Sequence, residues 1–486
     1  MPSIWFICYN LVVVGLSAYG LHRFWIVFLY LRRRRNAPKP LNAFAELPTI
    51  TVQLPIYNEM YVAERLLRAV AALEYPREKL EVQALDDSTD ETTAIIERVA
   101  TELRSQGLNI HHIRRGSRSG FKAGALAHGL KIAQGEFCAI FDADFLPPPK
   151  TLLETVHYFT DPKVGMIQTR WGHLNQKQNL LTRVQALMLD GHLLIEQTAR
   201  HRNGRFFNFN GTAGIWRKSC ILDAGGWHTD TLTEDLDLSY RAQLAGWQFV
   251  FLPHLITPAE LPAEMNAFKV QQHRWAKGAI QTCLKLLPTV WRSKLPLAVK
   301  LEASFHLTSN FAYLLLAAMC FLLQPSWTRA DITWHSFLWV DLPIFMVATF
   351  SLFVFYGLVL WESGKAWWKI PFYVPALISV GVGLSINNAK AVLEALFHRP
   401  SEFIRTPKYG DVSSQQRRKY FSSKSILLLV EMSLALYYAH FVWFAWRNQL
   451  WTSLPFLILF ALGFFYVALS SLFHRRLIFQ PSPSRA

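Results

Sequence analysis

Two aspartates separated by a single alanine, Asp142 and Asp144, follow the apolar stretch "EFCAIF", which has the composition of a buried strand. Side chains two residues apart in an extended chain point to the same side, so both carboxylates would face one site. Hard divalent cations such as Mg²⁺ and Mn²⁺ prefer oxygen ligands and leave room for substrate phosphates. The spacing therefore predicts a metal site that serves a diphosphate, although a solvated turn has the same spacing.

Two further acidic clusters contain candidate functional carboxylates. Asp86 and Asp87 end the strand-like stretch "LEVQALDD", and Glu234 and Asp235 follow Thr233 in "LTEDLDL". Thr233 is a good N-cap residue, and the helix dipole favours carboxylates in a first turn, so capping alone is one interpretation. The other is that a carboxylate at this helix start points into a cleft as a general base.

Cationic and aromatic residues supply the complementary groups. Lys122 lies among small residues in "SGFKAGAL", where a nucleotide could approach closely, and "FKVQQHRWAKG" (268–278) contains Gln271, Arg274 and Trp275. A guanidinium suits a pyrophosphate, and an indole offers a flat apolar face to a sugar. Membrane anchoring is the alternative for the Arg–Trp pair, because both residues favour bilayer interfaces. No GxxxxGK[ST] loop is present, so an NTPase is not indicated.

Strand-like and helix-like patterns alternate between residues 36 and 300. Four strand-like stretches occur in order: "TITVQLPIYNE", "LEVQALDD", "NIHHIRR" and "EFCAIFDADF". Such alternation predicts a parallel α/β sheet, in which ligands bind beyond the carboxyl ends of the strands. Both the Asp86–Asp87 pair and the Asp142–Asp144 pair would lie at those ends.

The composition indicates a membrane protein. The 486 residues are 51% hydrophobic with a formal net charge of +16, and the basic residues form short runs beside apolar segments. That distribution is typical of the positive-inside pattern rather than of a phosphate-binding groove, so we expect a lipid bilayer and no nucleic acid as partner. The five cysteines are scattered without a CxxC pair, so neither a zinc site nor a disulfide framework is predicted.

Five apolar stretches are long enough to cross a bilayer: 3–31, 301–323, 337–361, 425–446 and 452–473. Arg32 to Arg35 follow the first, which we interpret as an anchor with its N-terminus outside. Pro371–Ile386 is apolar but short and interrupted by Pro375 and glycines, and many basic residues follow it. We expect it to lie at the interface or re-enter, because every basic cluster then falls on the cytoplasmic side.

These features divide the chain into six parts: an anchor with basic stop (1–35), a cytosolic α/β domain (36–262), an interfacial helix (263–300), two spans (301–361), an interfacial or re-entrant segment with a loop (362–424), and two spans with a basic tail (425–486). The interfacial helix itself is expected at residues 265–290. Its Lys269 and Lys277 are expected at the cytoplasmic surface.

Four motifs follow one another along the chain: Asp87, Asp142-x-Asp144, Thr233-Glu234-Asp235 and Gln271-x-x-Arg274-Trp275. This set resembles the signature of the processive family-2 glycosyltransferases, the cellulose-synthase superfamily. The stretches "FFNFNGTAGIWR" and "ELPAEMNAFKVQQHRWAKG" are similar to the plant cellulose-synthase-like A and C branches, the mannan and xyloglucan-backbone synthases, and to their bacterial relatives.

The resemblance implies a fold and a reaction. The fold is an α/β cytosolic domain of the GT-A type, with a mostly parallel sheet and flanking helices, inserted between about five transmembrane helices and interfacial helices. The reaction is an inverting transfer of hexose from a nucleoside-diphosphate sugar, GDP-mannose or UDP-glucose, to the non-reducing end of a growing β-glycan. The product would be a β-1,4-linked mannan, glucomannan or glucan that passes across the membrane.

The resemblance also implies roles for individual residues. Asp235 is the catalytic base, and Asp142 and Asp144 bind Mg²⁺ or Mn²⁺. Residues implied to bind the donor are Asp86, Asp87, Lys122, Asp142, Arg274, Thr406 and Lys408. Residues implied to bind the acceptor are Phe209, Asn210, Gly211, Thr212, Glu234, Gln271 and Trp275. "SEFIRTPKYG" (401–410) is similar to the superfamily's gating loop, in which Thr406 and Lys408 would close over the donor phosphates.

Location and alternatives complete the hypothesis. The resemblance implies an integral protein of a bacterial inner or plasma membrane, or of the Golgi, with its catalytic domain in the cytosol. Assembly of identical chains is compatible with it. One alternative is a non-processive membrane glycosyltransferase that makes a glycolipid. Another is an inactive scaffold, which the intact set of carboxylates disfavours.

Overall fold

The computed structural model describes residues 4–323, 342–399, 408, 410, 427–451 and 453–478. A seven-stranded sheet lies at its centre, with the strands in the order β3-β2-β1-β4-β6-β5-β7. The strands are β1 (Ile50–Ile56), β2 (Leu80–Asp86), β3 (Asn109–Arg114), β4 (Phe137–Ile140), β5 (Val164–His173), β6 (Gly214–Arg217) and β7 (Gln248–Ala259).

The predicted parallel sheet is confirmed. Strands β3, β2, β1 and β4 pair in parallel, as do β5 and β7, whereas β6 runs antiparallel to both of its neighbours. All four strands expected from the sequence are present. The antiparallel strand β6 joins the β4 side of the sheet to the β5–β7 pair, so a mostly parallel sheet includes one reversed strand.

Helices cover both faces of the sheet. Those of this region are α2 (Ala63–Ala71), α3 (Thr92–Ser105), α4 (Phe121–Ile132), α5 (Thr151–Val156), α6 (Leu180–Asp190), α7 (Thr198–Arg202), α8 (Lys218–Asp223) and α9 (Glu234–Leu244). A π-helical turn, Gly191–Gln197, joins α6 to α7. Strands β1 and β2 are buried along almost their whole length because apolar clusters pack on each side of them.

Longer helices lie outside the sheet region. They are α1 (Ile4–Arg33), α10 (Met265–Arg292), α11 (Leu297–Thr308), α12 (Phe311–Leu322), α13 (Leu342–Glu362), α14 (Ile370–Leu396), α15 (Leu427–Arg447) and α16 (Leu454–Ile478). Within the described ranges, four helices are long and apolar enough to cross a membrane: Ile7–Arg33, Trp367–Leu396, Leu427–Arg447 and Leu454–Leu472. The pair α11 and α12, bent by 53°, provides a fifth candidate if it forms one span.

The segment after α13 differs from its prediction. The sequence suggested a short, interrupted stretch, but α14 is a continuous helix of 27 residues. Pro371 stands in its first turn, where the missing N–H costs little. Gly383 is a packing site, because a Cβ there would lie 2.4 Å from the carbonyl oxygen of Gly463 on α16. By length and composition α14 is therefore a candidate span.

Contacts at the two ends of α14 bear on its placement. Just before the helix, Lys365 Nζ donates to Asp190 Oδ2 of α6 at 2.7 Å. Just after it, the carbonyl oxygen of Arg399 accepts from Lys277 Nζ of α10 at 2.7 Å. Farther on, Lys408 Nζ contacts Asp144 Oδ2 at 2.7 Å. Residues at both ends of α14 thus contact the sheet domain or helix α10.

Candidate active site

One cavity lies at the carboxyl ends of β1, β2 and β4, where the loops that follow these strands converge. The predicted residues that line it are Asp87, Lys122, Asp142, Asp144, Asn210, Gly211, Glu234, Asp235, Gln271, Arg274, Trp275 and Lys408. They come from seven separate parts of the chain. The expectation that the motifs meet at the ends of the strands matches this geometry.

The two aspartates of the DxD motif each contact a lysine ammonium. Asp142 Oδ1 accepts from Lys122 Nζ at 2.6 Å, and Asp144 Oδ2 accepts from Lys408 Nζ at 2.7 Å. Backbone and hydroxyl groups hold the motif, because Asp142 N–H donates to Thr212 Oγ1 and Glu260 N–H donates to Asp144 Oδ2. The pair of carboxylates is therefore fixed beside positive charge.

Lys122 links the DxD motif to the loop before β6. Its Nζ also donates to the carbonyl oxygen of Gly211 at 2.9 Å. Burial alone would lower the pKa of Lys122, but the charges of Asp142 and Glu234 outweigh it and raise that pKa. Lys122 is therefore a fixed cation in the cavity wall.

Asp235 lies in the first turn of α9 and faces the cavity. Burial, followed by the negative charge of Glu234, raises the pKa of Asp235 to about 7, while Lys122 opposes the shift. A carboxylate with such a pKa can accept a proton near neutral pH. Thr233 precedes the helix, but its Oγ1 lies 3.2 Å from Thr282 Oγ1 of α10 and makes no capping bond.

Gly211 leaves room for the base. Its φ of +81° is a conformation that residues with a Cβ rarely adopt, and a Cβ there would lie 3.1 Å from Asp235 Oδ2 and 3.4 Å from Lys122 Nζ. Gly211→Ala should therefore displace both groups and reduce turnover of the site by roughly tenfold or more. The comparison is Gly204→Ala, at a φ of +62° with nothing within 4 Å of the added Cβ. Equal loss in both variants would mean that backbone strain, not the crowding of Asp235, limits turnover.

Helix α10 presents Gln271, Arg274 and Trp275 to the cavity. The helix approaches the Thr233 loop closely, because a Cβ on Gly278 would lie 2.6 Å from Thr233 Cγ2. Burial lowers the pKa of Arg274, while the charges of Glu234 and Asp142 oppose that shift. Gly278 thus lets α10 approach the Thr233 loop closely, which places the Arg274 guanidinium near the carboxylates of Glu234 and Asp142.

Lys269 and Lys277 of α10 are not at the surface, contrary to the prediction. Lys277 is 0% exposed and pairs with Glu394 at 3.2 Å, and the side chain of Lys269 is 10% exposed and pairs with Glu431 at 2.6 Å. Their partners come from α14 and α15, which bury and neutralise both ammoniums. These pairs attach α10 to the apolar helices.

Three predicted site residues lie outside the cavity lining. Asp86 is buried, and its carboxylate accepts from Ser88 N–H at 2.8 Å and lies 2.9 Å from His112 Nε2. Phe209 is fully buried and packs edge-on against Trp216. Thr212 is 1% exposed and supports Asp142. The structure gives each of them a supporting position, and Thr406 lies outside the described residues.

Other residues of the cavity were not singled out from the sequence. Tyr57 and Glu59 follow β1, and Arg118 lies with its Cζ 3.4 Å from the centroid of the Tyr57 ring. Arg115 holds Asp87, with Nε 2.8 Å from Asp87 Oδ1. The basic stretch "RRGSRSG" (114–120), which ends two residues before Lys122, was the available signal.

A second cavity continues from the first toward the apolar helices. Residues that line both cavities are Trp171, Leu189, Asn210, Thr233, Asp235, Gln271 and Trp275. Beyond them the wall is formed by α1, the π-helical turn, α11 and α12, with polar side chains such as Tyr19, His192 and His306. Asp235 and Trp275 therefore stand where the two cavities meet.

Known proteins resemble the sheet domain. Residues 48–278 match the family described as Glycosyltransferase like family 2. The probable glucomannan 4-beta-mannosyltransferase 10 of Arabidopsis thaliana is 42% identical over 274 residues, which are 55% of this chain and 49% of that protein. Glucomannan 4-beta-mannosyltransferase 1 of Oryza sativa subsp. japonica is 39% identical over 269 residues, 54% and 51% of the two chains. The chain thus spans about half the length of these curated relatives.

A solved structure has the same fold. The mannosyltransferase PcManGT of Pyrobaculum calidifontis, in complex with GDP-Man and Mn²⁺, matches 81% of this chain and 100% of its own with a TM-score of 0.52 and 19% identity. At that identity the likeness concerns the fold alone. It agrees with the sheet and flanking helices expected from the motifs. The resemblance drawn from those motifs is confirmed, because residues 48–278 match the family-2 glycosyltransferase model and the mannosyltransferase relatives.

Proposed function

We propose that this protein transfers hexose from a nucleoside-diphosphate sugar to the non-reducing end of a β-1,4-linked mannan or glucomannan and moves the product through the membrane. GDP-mannose is the favoured donor and UDP-glucose the second. The names of the relatives support the mannan class, and the GDP-Man bound to PcManGT supports the donor.

The observation that carries the proposal is the junction of the two cavities. Asp235 and Trp275 line both, so an acceptor in the second cavity can reach the base that lines the first. The second cavity runs between α1, α11 and α12, which are apolar helices. A non-processive enzyme that makes a glycolipid needs the first cavity but not a polar passage of this kind.

The residues of the cavity have separate roles in the proposed reaction. Asp235 accepts the proton of the acceptor hydroxyl as that oxygen attacks the anomeric carbon from the side opposite the diphosphate. Lys122 and Arg274 bind the departing diphosphate through charge-assisted hydrogen bonds. Direct displacement inverts the configuration at the anomeric carbon.

A divalent cation fits the DxD motif. Asp142 and Asp144 are adjacent oxygen donors, and each already accommodates a lysine ammonium in the structure. These carboxylates would hold Mg²⁺ or Mn²⁺, which would neutralise charge on the diphosphate when bound. The Mn²⁺ in PcManGT supports the choice of a divalent ion. Lys408 lines the same cavity and would add positive charge beside the diphosphate.

Trp275 should act on the acceptor rather than on the donor. Trp275→Ala removes the stacking face at the cavity junction and should raise the acceptor KM roughly tenfold, with donor binding unchanged. The matched control is Trp291→Ala on the same helix, whose side chain is 45% exposed and lines neither described cavity. Equal losses of donor and acceptor binding in Trp275→Ala would indicate a structural role.

The proposed orientation has the sheet domain in the cytosol. Arg32 and Arg33 end α1 on the side of the sheet domain, where Arg33 Nη1 donates to the carbonyl oxygen of Arg202 at 3.1 Å. Basic residues favour the cytoplasmic side. The cytosol is also the compartment in which nucleotide sugars are made, so the active cavity would face its donor.

A donor panel with purified protein in detergent tests the proposal. Radiolabelled GDP-mannose, GDP-glucose and UDP-glucose are supplied separately with each metal, and the product is digested with mannanase and cellulase. We expect insoluble, mannanase-sensitive product of high mass from GDP-mannose. Lipid-soluble product would support the glycolipid alternative, and no product from any donor would support the inactive scaffold.

A further inference from the structure

The π-helical turn Gly191–Gln197 forms part of the second cavity's wall. Its i→i+5 geometry widens the helix between α6 and α7, and such turns occur frequently at functional sites. His192 and Glu196 project from it into the lining of the second cavity. Gly191 packs closely on α13, because a Cβ there would lie 2.8 Å from Phe355 Cε1. The turn is therefore held between the sheet domain and an apolar helix.

His192 connects the turn to the active cavity. Its Nε2 lies 3.0 Å from Asn210 Oδ1, and its Nδ1 lies 3.2 Å from Glu196 Oε2. Glu196 is held in turn by Arg200 Nη1 at 3.1 Å. Burial would raise the pKa of Glu196, but Arg200 and His192 outweigh it and keep that pKa well below its usual range. The carboxylate is thus a firm partner that orients the imidazole ring.

Asn210 has one side of its amide engaged and the other side unused. Its Oδ1 accepts from Gln197 Nε2 and Asn208 Nδ2 at 3.2 and 3.1 Å, and it lies 3.0 Å from His192 Nε2. Its Nδ2 is buried and has no hydrogen-bond partner among the described residues. Asn210 lines both cavities. A buried amide donor without a partner at this junction suits a ligand with oxygen acceptors.

We propose that His192 is a positioning residue for the acceptor sugar: it fixes the Asn210 amide so that Nδ2 donates to an acceptor hydroxyl or ring oxygen at the cavity junction. This inference rests on the proposed function. The donor side of the cavity, at Lys122 and Arg274, lies apart from His192, which lines the second cavity alone. Loss of His192 should consequently affect acceptor use and leave donor use intact.

Kinetics with a soluble acceptor test this role. Full-length protein in detergent is supplied with GDP-mannose and β-1,4-mannohexaose, and nucleotide release without acceptor is measured in parallel. His192→Phe keeps the ring and removes both nitrogens, so the acceptor KM should rise about tenfold, the factor of one lost hydrogen bond. The donor KM and acceptor-free release should stay unchanged. His192→Gln keeps one donor for Asn210 and should restore most of the affinity.

Two comparisons make the test decisive. His128→Gln changes an exposed histidine of α4 that lines neither described cavity and should behave as wild type. Asn210→Asp removes the Nδ2 donor, so combining it with His192→Phe should cost less than the product of the two single effects. Independent effects, or equal acceptor KM in wild type and His192→Phe, would overturn the role of His192. A wild-type chain that releases nucleotide but ignores mannohexaose would instead contradict the proposed polymer synthesis.

Discussion

Asp235→Asn should reduce sugar transfer by about a thousandfold or more while nucleotide binding stays at the wild-type level. The amide has the size of the carboxylate but cannot accept the proton of the acceptor hydroxyl, and general-base catalysis contributes about 10² to 10⁴ in rate. Lys122 retains Asp142 and the carbonyl oxygen of Gly211 as partners, so the donor side keeps its shape. Transfer and nucleotide binding are measured on the same preparation.

The same residue should set the pH dependence of transfer. Burial and Glu234 raise the pKa of Asp235 to about 7. Only the deprotonated carboxylate accepts a proton, so kcat/KM should fall as the pH drops below 7 and level off above it. The pH at which kcat/KM falls gives the pKa of the catalytic base in the enzyme without substrate. It should be absent from the residual activity of Asp235→Asn.

A matched control isolates the chemistry from the fold. Asp223→Asn makes the same exchange at an exposed position, where the side chain accepts from Trp247 Nε1 and lies outside both cavities. It should transfer at the wild-type rate. Asp235→Asn should not lower the unfolding temperature, because it removes a charge whose burial is unfavourable. Transfer by Asp235→Asn within tenfold of wild type would rule out Asp235 as the base.

The sheet was predictable to the extent that its strands are continuous apolar runs. Strands β1, β2 and β4 are buried on both faces, so their sequences are apolar runs that were identified as strands. The acidic residues after β2 and β4 then indicated the site. Strands β5, β6 and β7 were not identified: β6 has only four residues, half-exposed positions interrupt β7, and the last four residues of β5 are half-exposed. Helix α14 was predicted too short because glycines were taken as breaks, whereas Gly383 is where α16 crosses it closely.

Within the site, the sequence identified motifs but could not choose between neighbouring residues. Asp86 and Asp87 point to opposite sides because successive side chains alternate at the end of a strand. Only Asp87 lines the cavity, and Asp86 is held by Ser88 and His112. Phe209 and Thr212 are also buried, whereas Asn210 and Gly211 between them line the cavity, because the loop turns at Gly211. The direction of one residue in such a run depends on the register of the sheet.

Ion pairs between distant parts of the chain could not be predicted from the sequence, for a different reason. Lys269 and Lys277 find their carboxylates on α15 and α14, more than a hundred residues away along the chain. An isolated helix with several lysines indicates an exposed face, and only the packing of α10 against the apolar helices buries them. The contact between His192 and Asn210 likewise requires the π-helical turn, whose geometry has no signal in composition.

Asp144→Asn should lower transfer by about a hundredfold to a thousandfold and shift its metal dependence to higher concentration. The amide keeps an oxygen for Glu260 N–H but loses the charge that a divalent cation requires. Asp144 is 5% exposed and contacts Lys408 Nζ at 2.7 Å, so its carboxylate already lies beside a positive charge. Transfer is titrated with Mn²⁺ and separately with Mg²⁺ in wild type and variant.

Metal binding measured without turnover separates this role from a structural one. Titration calorimetry of Mn²⁺ in the presence of GDP should give a dissociation constant at least about tenfold weaker for Asp144→Asn, since one charged ligand is lost. Asp161→Asn serves as the control, because Asp161 follows α5 and lines neither described cavity. If Asp144→Asn binds Mn²⁺ as wild type does but still fails in transfer, the carboxylate acts through Lys408 rather than through a metal. Restored activity at high Mn²⁺ would instead establish Asp144 as a ligand, because excess metal compensates only for weakened metal affinity.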